Sequence, residues 1–166
     1  MDREDPLQLV RREVETVSER IRLSVVTEIP ALSHAAEYFL KFGAEGKRLR
    51  PSLLILLATA LSQNPLDPEM LNVDNRASNV YVHEVRRRQQ RLAEIAELMH
   101  VTSLLHDDVI DNADTRRGIS SLNAVVGNKL AILAGDFLLA RASVTLASLR
   151  NPEVIMLMAE ILENLV

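Results

Sequence analysis

The sequence predicts an all-α helical bundle, on three observations. Hydrophobic residues make up 48% of the chain but aromatics only 3%, so the apolar content is mostly Leu, Ala, Val and Ile. Only 5 Gly and 6 Pro punctuate the 166 residues, few for the many turns of a sandwich or barrel. Long stretches also repeat apolar residues three or four apart, the period of one helix face. A chain of this length can bury one real core. No internal repeat, low-complexity tract or domain boundary interrupts residues 1–166, which read as a single helical domain.

Taken in order, residues 7–28 carry Val10, Val14, Val17, Ile21 and Val25 on one face, and Pro30 closes that helix. "ALSHAAEYFLKF" predicts a short second helix ended by Gly43. The glycines of "GAEGKRLRP" make a loop, and Pro51 suits the first turn of the next helix. That helix is apolar nearly all round over 52–61, which predicts burial. Pro65, Pro68 and several Asn and Asp over 62–79 predict an exposed loop. A long helix follows over about 82–111, with Leu92, Ile95, Ala96, Met99, Leu104 and Leu105 on its apolar side. Residues 112–121 form a polar loop, "SLNAVVG" a short helical piece, and 128–149 another helix. Asn151-Pro152 breaks the chain before a last helix over 152–166. The end "AEILENLV" carries no stop signal, and the expectation is a chain cut in mid-fold.

The bulk properties exclude several functions. A net charge of −4 argues against a general polyanion-binding surface. The run "HEVRRRQQR" at 83–91 lacks interleaved aromatics, so nucleic-acid stacking is unsupported and a solvated helix start is expected. With no cysteine, disulfides, thiolate metal sites and Cys nucleophiles are impossible. No apolar run reaches the length of a bilayer span, and the acidic start "MDREDPLQLV" is neither a signal nor a transit peptide.

Charge concentrates in "LLHDDVIDNADTRRG", residues 104–118. On a helix Asp107 and Asp108 both neighbour Asp111. Carboxylates this close raise each other's pKa, and a cation would relieve the repulsion. Hard oxygen ligands without Cys favour Mg²⁺ or Mn²⁺, which commonly share their shell with substrate phosphates. The other reading is a solvated acidic helix end. Against it, acidic groups at a helix C-terminus oppose the macrodipole at a cost of roughly 0.3–1 kcal/mol each, and such breaches of local rules are expected at functional sites. Arg116 and Arg117 offer guanidinium forks to phosphate oxygens, or alternatively pair within the loop with Asp114. Lys47, Arg48 and Arg50 form a second basic cluster at a helix start, read either as an anion site or as a solvated loop. His100 lies two turns before Asp107 on nearly the same side; a lone His on an apolar helix is more often core than ligand.

Together, "GKRLRP", "LLHDDVID", "ADTRRG" and "GNKLAILAGDFLLARA" resemble the all-trans polyprenyl diphosphate synthases, and within them the long-chain, solanesyl-type branch. The resemblance implies a helical bundle of the isoprenoid synthase type, of which this chain is the N-terminal part. It implies a prenyltransferase that condenses isopentenyl diphosphate with an allylic diphosphate to build long all-trans chains for quinone side chains. By that resemblance Asp107, Asp108 and Asp111 hold Mg²⁺ on the allylic diphosphate, with Arg116 on the same group. Lys47, Arg50, His100 and Arg117 take isopentenyl diphosphate. Metal and arginine then stabilise charge on the departing diphosphate, without a protein nucleophile.

In such enzymes, bulky residues just before the Asp-rich motif shorten the product. Thr102 and Ser103 are small here, which predicts a long product that Ser103→Phe would shorten. The family's second Asp-rich motif and Lys-Thr motif are absent from these 166 residues. The expectation is therefore a chain inactive alone, prone to aggregate or dimerise, as a homodimer or beside a related subunit. The alternatives are a non-catalytic partner of a full-length synthase, or a helical interaction protein without ligand. Retention of "DDVID" and the lack of Cys-x-x-x-Cys motifs favour the enzyme. The resemblance also implies a plastid or a mitochondrion, though no targeting segment is visible.

Overall fold

The computed structural model describes residues 5–30, 32–33, 35, 48–61 and 76–165, with the backbone alone over 76–82. The first helical region is split. Asp5 caps the turn α1 (Pro6–Leu9) by accepting from the Leu7 N–H, and α2 (Arg11–Ser24) follows after Val10. Val10, Val14, Val17, Ile21 and Val25 are all buried, as their spacing requires. The expected helix over 31–42 falls mainly outside the described residues.

Helix α3 (Leu49–Leu61) carries Pro51 in its first turn, where no intrahelical N–H is missed. Its burial departs from expectation. Pro51, Ser52 and Ile55 are buried, but Leu53, Leu57 and Leu61 stand more than half exposed. An all-round apolar composition cannot say which face meets the core.

The axis of the fold is α4 (Arg76–Ile110), 35 residues long. It begins earlier than the Asn-rich sequence predicted, because the exposed loop gives way to helix at Arg76. Helices α2 and α3 pack on its first half. Arg86, buried on α4, donates to both carboxylate oxygens of Glu13 on α2 and to the Ile55 carbonyl of α3, pinning the three helices at one point. Gln90 also donates to Glu13, and Arg20 donates to Gln90. The run 83–91 is thus not simply solvated.

Beyond α4 come the two-residue strands β1 (Thr115–Arg116) and β2 (Ile119–Ser120), then α5 (Leu122–Val126), α6 (Asn128–Ser148) and α7 (Pro152–Glu163). Strand Thr115 pairs with Ser120 and Arg116 with Ile119, antiparallel. Helix α6 runs back along α4 and buries Ala131, Ala134, Gly135, Leu138, Ala142 and Leu146. Among the described residues it is long and apolar enough to cross a membrane if Asp136 and Arg141 are tolerated within it, which corrects the expectation that no run reaches that length. Its small-residue face against α4 gives it the place of a bundle core helix. Asn151 caps α7 by accepting from the Glu153 and Val154 N–H groups. Val144, Met156, Leu157 and Ile161 remain exposed on α6 and α7.

Candidate functional site

The site is assembled at the C-terminal end of α4. Asn112 takes a left-handed conformation (φ 50°). The Ala113 N–H then bonds the Asp108 carbonyl at 2.9 Å, and the Asn112 N–H bonds the Val109 carbonyl at 3.3 Å. This pair is a Schellman closure, and asparagine is the residue besides glycine that tolerates its left-handed position. It stops the helix directly after the acidic motif and turns the chain into the hairpin.

The hairpin turn consists of Arg117 (φ 53°) and Gly118 (φ 84°), the positive-φ pair that a two-residue turn needs to match strand twist. Nothing lies within 4 Å of where a Gly118 Cβ would sit, so glycine is required there by backbone angle rather than space. Arg117 takes the same handedness with a side chain, and the residue is exposed at the tip. Below the turn, Ser121 and Asn123 both donate to the Ala113 carbonyl, and the Ser121 N–H bonds the Asp114 carbonyl. The segment between helix end and α5 is therefore braced across its base.

Three carboxylates that look alike in sequence differ here. Asp108 is buried, and Arg116 donates to both of its oxygens at 2.7 Å. The Asp108 hydrogen bond holds the Arg116 guanidinium above its ordinary pKa against its partial burial, with Asp107 and Asp111 adding to the effect. Asp107 and Asp111 are exposed. Arg116 thus pairs back to the helix rather than with Asp114 in its own loop. Among the described residues, no three His, Asp or Glu side chains converge as a ready-made metal cage. The exposed oxygens of Asp107 and Asp111 fit a cation bound through one or two carboxylates, as Mg²⁺ commonly is.

The other residues of the expected site come from three segments: His100 from α4, Arg50 from the start of α3 and Arg117 from the hairpin turn. His100 is held below its usual pKa by partial burial and then by the nearby positive charges of Arg50, Arg117 and Arg116, against Asp107. Arg50 and Arg117, 67 positions apart in numbering, thus both act electrostatically on one imidazole. Lys47 lies outside the described residues. Arg48 is held below its ordinary value by burial and by Arg22, with Glu97 opposing.

Glu97 is the residue that sequence reasoning passed over. Its Oε2 is buried with no hydrogen-bond partner among the described residues, and burial raises its pKa against the pull of Arg50, Arg48 and Arg117. The available signal was an acid one turn before His100 on a largely apolar helix. Thr102 is buried in the α4–α6 seam, its hydroxyl directed at the Gly135 carbonyl at 3.4 Å, and Ser103 donates to the His100 carbonyl at 2.8 Å. His106 lies over Gly135, where any Cβ would overlap its ring, and its Nε2 is 3.5 Å from Asp136.

Comparison with known proteins bears on the family and the fold. The sequence matches the Polyprenyl synthetase family over residues 29–166. Solanesyl-diphosphate synthase 1, mitochondrial, of Oryza sativa subsp. japonica is 52% identical over 165 residues, 99% of this chain but 37% of that protein. Hexaprenyl pyrophosphate synthase, mitochondrial, of Saccharomyces cerevisiae is 36% identical over 211 residues, 98% of this chain and 44% of its own length. The solved polyprenyl synthase from Caulobacter crescentus CB15, complexed with calcium and isoprenyl diphosphate, superposes with a TM-score of 0.73 at 25% identity, over 95% of this chain and 41% of that one. The chain thus spans less than half the length of these relatives. Its all-α architecture is that of the isoprenoid synthases, and the chain belongs to the polyprenyl synthetase family.

Proposed function

We propose that this chain carries the first Asp-rich motif and the basic diphosphate site of a trans-polyprenyl diphosphate synthase. In that reaction isopentenyl diphosphate condenses with an allylic diphosphate to give a long all-trans chain for a quinone side chain. The observation that carries the reading is the helix end itself: exposed Asp107 and Asp111 stand on either side of the buried Asp108, which grips Arg116 through both oxygens.

Asp107 and Asp111 would hold Mg²⁺, or Mn²⁺, on the allylic diphosphate, and Asp108 would orient Arg116 toward the same group. The metal, when bound, supplies positive charge to the diphosphate. Arg48, Arg50, His100 and Arg117, with Lys47, would hold the second diphosphate. A neutral His100 donates a ring N–H without adding to the repulsion among the arginines. The half-buried Ser103, beside Thr102, leaves the wall before the Asp-rich motif small, in keeping with long products. Relatives named as solanesyl, hexaprenyl and decaprenyl diphosphate synthases support that chain-length class. Their mitochondrial and chloroplastic names point to the same organelles for this protein, and the exposed apolar residues of α6 and α7 to a homodimer or a related subunit.

The test is thermal unfolding of the chain with Mg²⁺ plus inorganic pyrophosphate. A rise in melting temperature that needs both additions is expected, since ligand binding to the native state stabilises it. No shift would favour a helical interaction protein instead.

A further inference from the structure

Helix α6 carries a glycine at 135, in its interior, where alanine is the better helix former and no left-handed angle calls for glycine. What calls for it is space. A Cβ at this buried position would overlap the ring of His106, which comes across from α4. One turn earlier on α4, the Thr102 hydroxyl is directed at the Gly135 carbonyl at 3.4 Å. Two successive turns of α4 therefore close on one peptide of α6. The imidazole is the end of a rotatable side chain, but it is held where it lies. Its Nε2 stands 3.4 Å from the Ile132 carbonyl and 3.5 Å from an Asp136 carboxylate oxygen, and swinging the ring aside gives up both.

His106 immediately precedes Asp107. Successive helix residues leave the axis about 100° apart, so the direction of one side chain sets the direction of the next. The Asp108–Arg116 fork and the clasp on the Ala113 carbonyl hold this helix end to its own hairpin. The contact of His106 with Gly135 ties it to the neighbouring helix. We propose that Gly135 and His106 are positioning residues: the notch at Gly135 seats the His106 ring against the α6 backbone, and so fixes the rotation at which α4 presents Asp107 and Asp111 to a metal-bound diphosphate. The proposal rests on the reading of that helix end as a diphosphate site. Neither Gly135 nor His106 touches the ligand; both act through the aspartates.

The experiment is titration calorimetry of the chain with inorganic pyrophosphate in the presence of Mg²⁺, on Gly135→Ala, His106→Ala and the double variant. Affinity is read on folded protein, so a glycine that merely packs the bundle changes the melting temperature and leaves affinity as it was. If the notch orients the acidic end, G135A binds about tenfold more weakly, because small displacements of a supporting shell are felt at the site it holds. H106A, which empties the notch, weakens binding by a similar factor. Ring and notch act as one unit, so the double variant binds no more weakly than H106A alone; the two losses do not multiply. Unchanged affinity in either folded single variant, or losses that multiply in the double, would overturn the proposal. Should G135A not fold, H106A decides between the same outcomes. Absence of Mg²⁺–pyrophosphate binding in the unaltered chain is a distinct result that refutes the diphosphate-site reading itself, and the proposal with it.

Discussion

Arg86 and Arg116 each grip a carboxylate through two guanidinium nitrogens, Glu13 in the first case and Asp108 in the second. The first fork joins residues 73 positions apart and ties α2 and α3 to α4. Its arginine side chain is only 10% exposed, and Gln90 also donates to the carboxylate. The second joins residues eight apart, with 37% of the arginine exposed. It is flanked by Asp107 and Asp111, two exposed carboxylates on the same helix end. The chemistry of the two forks is the same. What separates a staple from a site is the charge left over around it, and the exposure of the group that could turn toward a ligand.

The largest expected effect tests the staple. Glu13→Ala strands a buried guanidinium, and breaking such a pair from one side should remove about 3 kcal/mol of stability, read by chemical denaturation. Pyrophosphate affinity of the remaining folded fraction should not change. A loss under 1 kcal/mol would mean that the α2–α4 fork is not a staple.

A smaller effect separates the aspartates of the second fork. Asp108→Asn should cost about 1–2 kcal/mol, because a buried hydrogen-bonded ion pair loses its charge, and it should also weaken Mg²⁺–pyrophosphate binding as Arg116 loosens. Asp107→Asn, at an exposed position, should leave stability within about 0.5 kcal/mol while weakening Mg²⁺–pyrophosphate binding. Equal destabilisation by the two would erase the distinction between them.

The smallest effect is a pH signature that opposes two acids, the partly buried Glu13 on α2 and the buried Glu94 on α4. For Glu13 burial raises the pKa, but the bonds from Arg86 and Gln90 outweigh it and the net shift is downward. Its stabilising contribution is therefore present above the usual carboxylate range and is lost as pH falls through its lowered folded value. Glu94 is fully buried against Arg91, and burial raises its pKa despite Arg91 and Arg20. Its contribution has the reverse sign: present at low pH, lost as pH rises through the raised folded value. Glu94→Gln should thus be more stable than the unaltered chain at neutral pH, with the gain vanishing in acid. A gain that persists at low pH would contradict the assignment.

Much of this molecule was legible because its signals are local. Valines three and four apart marked the buried face of α2, and Asn151-Pro152 marked the start of α7. The acidic motif with its basic follower was legible too, because all its members lie within one helix end and one hairpin. What escaped depends on partners distant in sequence, or on choices among near equals. Arg86 looked solvated because nothing within 83–91 points to Glu13. Arg116 had Asp114 nearby in sequence, but strand pairing turns it back onto Asp108. The half-exposure of α3 was hidden because its composition is nearly uniform around the helix. Glu97 was missed because nothing in the sequence around it marks a carboxylate oxygen that folding leaves buried and unpartnered.

The Ala113 carbonyl, which accepts from both Ser121 and Asn123, has a wider consequence. With the Schellman closure on one side and this double clasp on the other, residues 108–123 form a cassette hinged on its own backbone. Its tip and its acidic root share one rigid frame. An added residue at 113 or 114 would throw the tip out of register with the root. The two halves of the charged motif are therefore held in one register by the backbone between them.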